Sequence, residues 1–130
     1  RCRIVTGVQT CALPIFSAPH TSFYLPGGRV GQEFEQTWTY ETWTLVQNPN
    51  PTDVRVVVTY LTADGSDDAS FNATVRANSR RTFNMADAGV TWRASIVVAC
   101  ATPGKKIICE RAMYCESRES GTNTAGGWSD

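Results

Sequence analysis

The stretch from Glu41 to Gly65, ETWTLVQNPNPTDVRVVVTYLTADG, constrains the fold more than any other part of the chain. Its second half alternates between two faces with the two-residue period of a pleated strand: Val54, Val56, Val58 and Tyr60 share one of them. The preceding Asn-Pro-Asn-Pro run cannot continue a ladder, because proline has no N–H and asparagine closes turns with its own side chain. The pattern therefore predicts two strands joined at a hairpin corner.

Size and composition narrow the class further. A chain of 130 residues corresponds to one domain, and 42% hydrophobic with 18% charged residues is ordinary for a globular fold. The apolar runs are far shorter than the roughly 20 residues that a membrane helix needs. We therefore expect no transmembrane segment.

The charges argue against a nucleic-acid partner. Twelve basic and twelve acidic residues cancel, and they are interspersed along the chain. Binding to nucleic acid requires lysine and arginine clustered on one face, whereas the basic pairs here are Arg80-Arg81 and Lys105-Lys106 alone.

Residues 1–16, RCRIVTGVQTCALPIF, do not resemble the start of a protein. They have no initiator methionine and no continuous apolar region of a signal peptide. The run GVQTCALPI resembles translated sequencing-adapter read-through. We therefore predict an artefactual or disordered leader at 1–16, with a genuine irregular arm as the alternative, and a domain at 17–130.

Short alternating segments continue through the rest of the domain. The predicted strands are Ser22–Leu25, Thr37 or Thr39 to Gln47, Val54–Leu61, Phe71–Arg76, Arg81–Met85, Ala94–Thr102 and Lys106–Cys115. Pro26, Gly27 and Gly28 are expected to stop the first strand. Trp38 and Tyr40 have the parity opposite to that of Trp43, so either a bend or bulge near Glu41 reconciles them or one pair of aromatics is exposed. This pattern predicts an all-β fold, an immunoglobulin-like antiparallel β-sandwich of about seven short strands, with a small β-barrel as the alternative.

Four segments carry a family resemblance. They are FYLPGG at 23–28, the stretch at 41–65, ANSRRTFNM at 77–85 and CERAMY at 109–114. In this order they resemble the tandemly repeated β-domains of uncharacterised function in large secreted or cell-surface proteins of actinobacteria and related bacteria. The resemblance implies a non-enzymatic extracellular repeat that acts as spacer, stalk or adhesive surface, with neighbouring repeats as partners. Because the glycine-rich segment of such repeats leads into the next one, we predict that the unit is truncated at its C-terminal end.

Three cysteines lie in the domain, at 100, 109 and 115. A four-residue loop around Pro103 to Lys106 would place Cys100 opposite Cys109 and allow a disulfide, which would suit an extracellular location. A two-residue Pro-Gly loop would instead oppose Cys100 to Ile107. Two buried free thiols are the alternative, and metal binding is a third, although no cysteine pair has the CxxC spacing of zinc sites. We predict no metal site.

Catalytic signatures are lacking in the sequence. His20 is the only histidine, and no GxSxG, GxxxxGK or HExxH motif occurs. Glu110 is interpreted as forming a salt bridge or a hydrogen bond to the backbone at a sheet surface. The acidic run Asp64-Gly65-Ser66-Asp67-Asp68 is interpreted as a solvated turn, since the spacing of a calcium loop is missing. We predict no catalytic residues and no cofactor, and a hydrolase fragment is the third hypothesis.

Aromatic residues support an alternative hypothesis, that the domain binds carbohydrate. Flat rings suit the apolar faces of sugars, so Trp38, Tyr40, Trp43, Trp92 and Tyr114 could form a stacking platform. We expect at least three of these five to be buried, and we predict Trp38, Tyr40 and Trp92 as the glycan-stacking candidates. The sequence thus favours a structural and interaction module with a protein or glycan ligand, and a carbohydrate-binding module is the alternative.

Overall fold

Two antiparallel β-sheets pack face to face in the computed structural model, which describes residues 3–5, 8–10, 18–32, 39–66 and 68–130. The strands are β1 (Arg3–Val5), β2 (Val8–Thr10), β3 (Ser22–Arg29), β4 (Gly31–Gln32), β5 (Thr39–Asn48), β6 (Val54–Thr62), β7 (Ala69–Val75), β8 (Ser79–Asn84), β9 (Arg93–Cys100), β10 (Ile108–Cys115), β11 (Ser120–Thr124) and β12 (Gly127–Ser129). The predicted all-β antiparallel sandwich is confirmed, and the barrel alternative is wrong because the strands form separate sheets.

The front sheet has the strand order β12-β3-β9-β6-β7. The back sheet has the order β11-β10-β5, and both β8 and β4 pair with the other side of β5. Among the described residues the two sheets together hold ten strands instead of the predicted seven or so, because three short segments without apolar alternation, β4, β11 and β12, also form strands. A separate hairpin pairs β1 with β2, and the prediction that residues 1–16 are read-through stays a prediction.

The valine-rich strand β6 lies at the centre of the core, as its alternation predicted. Val54, Val56, Val58 and Tyr60 are each at most 1% exposed. The hairpin corner before it is wrong, however, since β5 belongs to the back sheet and β6 to the front sheet. Segment 49–53 is a crossover, and the buried Asn48 holds it through Nδ2 donors to the carbonyls of Thr52, Val75 and Arg76.

The segment around Pro103 is a second crossover rather than a hairpin. It leads from β9 in the front sheet to β10 in the back sheet, so the two strands are not paired. An isolated bridge between His20 and Ile107 holds this end of the sandwich together. Among the described strands of the two sheets, the consecutive antiparallel neighbours are β4 and β5, β6 and β7, and β10 and β11.

The first predicted strand continues beyond the residues that were expected to stop it. β3 runs to Arg29 with a register shift between Leu25 and Gly28, and Gly27 has a positive φ of 69°. The Arg111 Nη1 donates to the carbonyl oxygens of Pro26 and Gly27 and so supports the irregular backbone from the opposite sheet. A bulge thus replaces the predicted stop.

The polar tail forms two strands where sequence analysis predicted none. β11 pairs with β10 in the back sheet, and β12 pairs with β3 in the front sheet. Gly126 lies in the crossover from β11 to β12 and has a φ of 62°. A Cβ at this position would meet the Tyr24 carbonyl oxygen and approach Leu25 Cδ2 to 2.9 Å. The prediction of a truncated natural unit is a separate matter and stays a prediction.

The inner faces of both sheets supply the core. Its largest fully buried side chains are Tyr60, Phe23, Leu25, Met85, Ile96, Ile107, Val46, Val54, Val56, Val58, Val75 and Val98. A hydrogen bond of 3.1 Å between the hydroxyls of Thr44 and Tyr60 joins the back sheet to the front sheet inside this core. Among the described residues, no helix has the length and apolarity required to cross a membrane.

Candidate interaction surface

The outer face of the back sheet is the clearest candidate site. In β5 the even-numbered Thr42, Thr44 and Val46 are buried, so the alternation of the strand turns Trp43 and Leu45 outward. The pairing of β5 with β10 runs without a break from Tyr40 to Gln47, so the bulge expected near Glu41 is absent. Trp43 therefore lies on the surface of the sheet and not in the core.

Trp43, Tyr114 and Arg118 form an aromatic and cationic cluster on this face. The Arg118 guanidinium lies 5.8 Å from the Trp43 ring centre and 5.9 Å from the Tyr114 ring centre. Glu41 fixes it, because Oε2 accepts hydrogen bonds from Arg118 Nε at 3.1 Å and from Trp43 Nε1 at 3.2 Å. We call these four residues the platform.

The strands and one turn position the platform. Strand pairing sets Tyr114 opposite Glu41, and Trp43 opposite Ala112 on the same outer face. Arg118 follows in the tight turn between β10 and β11 with a left-handed φ of 74°, an uncommon conformation for a residue with a side chain. That turn returns the guanidinium over the two rings, where cation–π attraction stabilises it.

A shallow depression of 260 Å³ accompanies the platform. Its lining residues are Trp43, Leu45, Arg80, Thr82, Ala112, Tyr114 and Arg118. The depression combines two aromatic rings and apolar side chains with two guanidinium groups and a threonine hydroxyl. This set can stack against a flat apolar surface and donate hydrogen bonds to an acceptor beside it.

The two glycan-stacking candidates that the structure describes, Tyr40 and Trp92, do not contribute to this surface. Trp38 lies outside the described residues, Tyr40 packs under Arg29 at 5.3 Å, and Trp92 packs against Arg93 at 5.0 Å. Neither Tyr40 nor Trp92 lines the depression. The expectation of at least three buried aromatics is wrong, since all four described members of the set, Tyr40, Trp43, Trp92 and Tyr114, are half-buried.

Cys100 and Cys109 both lie in the buried core, as free thiols. The register on which the predicted disulfide depended is wrong, because β9 and β10 belong to different sheets. Burial raises the pKa of the Cys109 thiol, and Cys100 and Glu110 nearby raise it further. The pairing state of the two cysteines in solution stays a prediction. No group of three His, Cys, Asp or Glu side chains suited to a metal occurs among the described residues.

His20, the only histidine, takes part in a surface cluster at the start of β3. His20 Nδ1 lies 3.2 Å from Asp130 Oδ2, which also accepts from Lys106 Nζ at 2.9 Å, and the imidazole stacks on Trp128 at 4.9 Å. The hydrogen bond from Lys106 is the main reason that the pKa of Asp130 falls to about 2. These contacts tie the end of β12 to the start of β3.

The acidic loop between β6 and β7 acts within its own turn. Asp64 Oδ1 accepts from the Ser66 hydroxyl at 2.8 Å and from the Ser66 amide at 3.1 Å, and these two hydrogen bonds lower the pKa of Asp64. Asp68 Oδ1 accepts from the Thr62 amide at 2.6 Å, and Asp67 lies outside the described residues. The carboxylates therefore close a turn, as the spacing of the loop favoured.

No family model matches this chain, and a search of curated proteins found none that matches it either. The crystal structure of protein 1070 of Thermotoga maritima is similar, with a TM-score of 0.68 and 12% sequence identity over 87% of this chain and 97% of that one. A likeness at this identity concerns the fold and supports the assignment of the sandwich.

Proposed function

We propose that this domain is a non-enzymatic structural and interaction module, one repeat of an extracellular bacterial surface protein, and that the platform is its contact surface. The observation that carries the proposal is the Trp43–Arg118–Tyr114 cluster, which lies on the outer face of a sheet whose inner face already supplies the core. Large rings with an arginine are the residue types that dominate binding energy at protein interfaces.

The likeness of the four sequence segments to tandem repeats supports a neighbouring repeat as the partner. Glu41 prepares the platform for such a contact, because it holds the Arg118 and Trp43 side chains in place before a partner arrives. Side chains that are already ordered lose less conformational entropy on binding. The module would then act as a spacer whose surface sets the packing of one unit against the next.

Two copies of the 130-residue chain joined head to tail provide the test. We expect nuclear magnetic resonance (NMR) signals of the Trp43 indole and the Arg118 side chain in the tandem to differ from those in the single chain. The same tandem with Tyr114→Ala in both copies should lose most of that difference. A tandem spectrum that superimposes on the spectrum of the single chain would exclude the platform as a contact between repeats.

Carbohydrate binding is the second candidate, and the chemistry of the depression favours it. Trp43 and Tyr114 present rings on one face, while Arg118, Arg80 and Thr82 supply hydrogen-bond donors beside them. Sugar sites combine these two features, since the rings stack on C–H faces and the polar groups orient the hydroxyls.

A glycan array separates the two candidates. Binding that Trp43→Ala and Tyr114→Ala abolish, and that Trp92→Ala leaves unchanged, would establish the carbohydrate reading. Trp92 is the matched control because it is a half-buried tryptophan outside the depression. An array without signal for the wild-type chain would rule that reading out and leave the contact between repeats.

A further inference from the structure

The lateral side of the sandwich formed by β7 and β8 is open. Within the described residues, β7 pairs with β6 alone and β8 pairs with β5 alone, so each is an edge strand. The opposite side differs, because the chain crosses there directly from β11 to β12. Edge strands present backbone donors and acceptors to any extended segment that meets them.

The register identifies which backbone groups of β7 face outward. The Ala101 amide donates to the Arg55 carbonyl, so Arg55 directs its backbone groups toward β9 and its neighbour Val56 toward β7. Val56 pairs with Ala73, so the groups of Ala73 are used within the sheet. By alternation, Ser70, Asn72 and Thr74 direct their N–H and C=O groups to the open edge.

An apolar groove lies between the two edges. It encloses 490 Å³, and Phe71 of β7 and Phe83 of β8 meet along it edge to face at 5.4 Å. Phe83 is 9% exposed, and Phe71 is half-buried and packs against Tyr60 at 6.2 Å. Side chains from an added strand would therefore meet aromatic surface directly beside the unpaired backbone groups.

One basic and one acidic residue, Arg81 and Asp87, line the groove. The Arg81 guanidinium lies 5.2 Å from the Phe83 ring centre and donates from Nη1 to the Thr74 carbonyl at 3.0 Å. Strand β7 itself, ASFNATV, carries no charge and no proline, the residues that commonly prevent added pairing at an edge.

We propose that this edge is a second binding site, for an extended peptide that pairs with Ser70 and Asn72 and adds a strand to the front sheet. The peptide has apolar residues at alternate positions, which lie over Phe71 and Phe83, and an acidic residue where it passes Arg81. Such strand addition obtains its affinity from main-chain hydrogen bonds and its specificity from alternate side chains. The site shares Trp43 and Thr82 with the depression of the platform, but it does not depend on the function proposed for the platform.

Capped nine-residue peptides of alternating valine and threonine test the proposal, in three forms that end in Asp, Ala or Lys. Added to the 15N-labelled 130-residue chain, the Asp form should shift the amide signals of Ser70 and Asn72 and slow their hydrogen exchange. Its affinity should exceed that of the Ala form by about tenfold, the effect of one charge-assisted hydrogen bond, and Arg81→Gln should abolish this preference.

A matched pair of variants at Asn72 isolates the backbone contribution. Asn72→Pro removes an N–H that points away from β6, so the ladder of the sheet is retained, whereas Asn72→Ala keeps that N–H. We expect the first variant to lose binding and the second to retain it. If Asn72→Pro proves unfolded, hydrogen exchange in the wild-type chain decides alone.

Three results would overturn the proposal. One is that no peptide form changes the Ser70 and Asn72 amides, and another is that Asn72→Pro binds as well as Asn72→Ala. The third is a change of the same signals with protein concentration and without peptide, which would show that a second copy of the chain occupies the edge.

Discussion

The hydroxyl pair between the sheets makes the energetics of this sandwich directly testable. Thr44 Oγ1 and the Tyr60 hydroxyl lie 3.1 Å apart, and both residues are 0% exposed. Tyr60→Phe removes one hydroxyl with little change in shape and leaves the other without this partner in an apolar core. The lost bond together with the unsatisfied group should lower the free energy of unfolding by about 1 to 3 kcal/mol.

A double-mutant cycle separates the bond from the packing. Thr44→Val removes the partner hydroxyl at nearly constant volume and should cost a similar amount on its own. Because the double variant leaves neither hydroxyl unpaired, its cost should fall short of the sum of the two single costs by about 1 kcal/mol or more. Urea denaturation followed by tryptophan fluorescence measures all four proteins. Costs that add to within about 0.5 kcal/mol would refute a shared hydrogen bond.

The dependence of stability on alkaline pH gives an independent test of the buried Tyr60 hydroxyl. Burial raises the pKa of Tyr60 above its ordinary value of 10.0. The unfolded chain therefore loses this proton first, so the contribution of Tyr60 is complete below pH 10 and is lost as the pH rises toward the folded pKa. The difference in stability between wild type and Tyr60→Phe should shrink in that range. A constant difference would contradict the burial of an un-ionised hydroxyl.

Other predictions concern the crossover, the surface cluster and the thiols. Gly126→Ala should lower the free energy of unfolding, measured by urea denaturation, by about 3 kcal/mol or more, because its Cβ would meet backbone at a positive φ. Gly127→Ala is the control and should be nearly neutral, because a Cβ at Gly127 faces open space. The pKa of Asp130 lies at about 2, below its ordinary 3.8, so the contribution of Asp130 to stability is present above pH 4 and is lost as the pH falls through 2. In acid denaturation, Asp130→Asn should reduce this loss of stability. Denatured without reductant and alkylated, Cys100 and Cys109 should both be modified, and a cross-linked peptide in mass spectrometry would instead establish the disulfide.

Local alternation was sufficient to predict most strands but not their partners. The faces of β6 follow from its sequence, since side chains alternate whatever strand lies beside them. The Asn-Pro-Asn-Pro segment and the Pro-Gly segment at 103–104 are rich in turn residues, and such residues serve a hairpin and a crossover between sheets equally well. The interpretation of both segments as hairpins is wrong. For the segment around Pro103, it also gives the wrong register for Cys100 and Cys109.

The platform could not be predicted because it depends on pairing between distant strands. Trp43 and Tyr114 have outward parities that the sequence contains, but only the β5–β10 register brings them to one depression. Arg118 follows in a turn whose left-handed φ no sequence rule assigns to arginine. The role of Arg111 in the core could not be predicted either. The carbonyl oxygens that accept its hydrogen bonds are available only because β3 has a bulge.

The two proposed binding surfaces share two lining residues, Trp43 and Thr82, and Trp43 gives a way to tell the surfaces apart. Trp43 lines both the depression of the platform and the groove between the edge strands, whereas Tyr114 lines the first and Phe71 the second. Trp43→Ala should therefore weaken repeat or glycan binding as well as peptide binding, while Tyr114→Ala should weaken the first alone. If Tyr114→Ala also abolished peptide binding, the groove and the platform would have to be one site. If Trp43→Ala left peptide binding intact, the affinity of the groove would depend on its backbone edge and on Phe71 and Phe83.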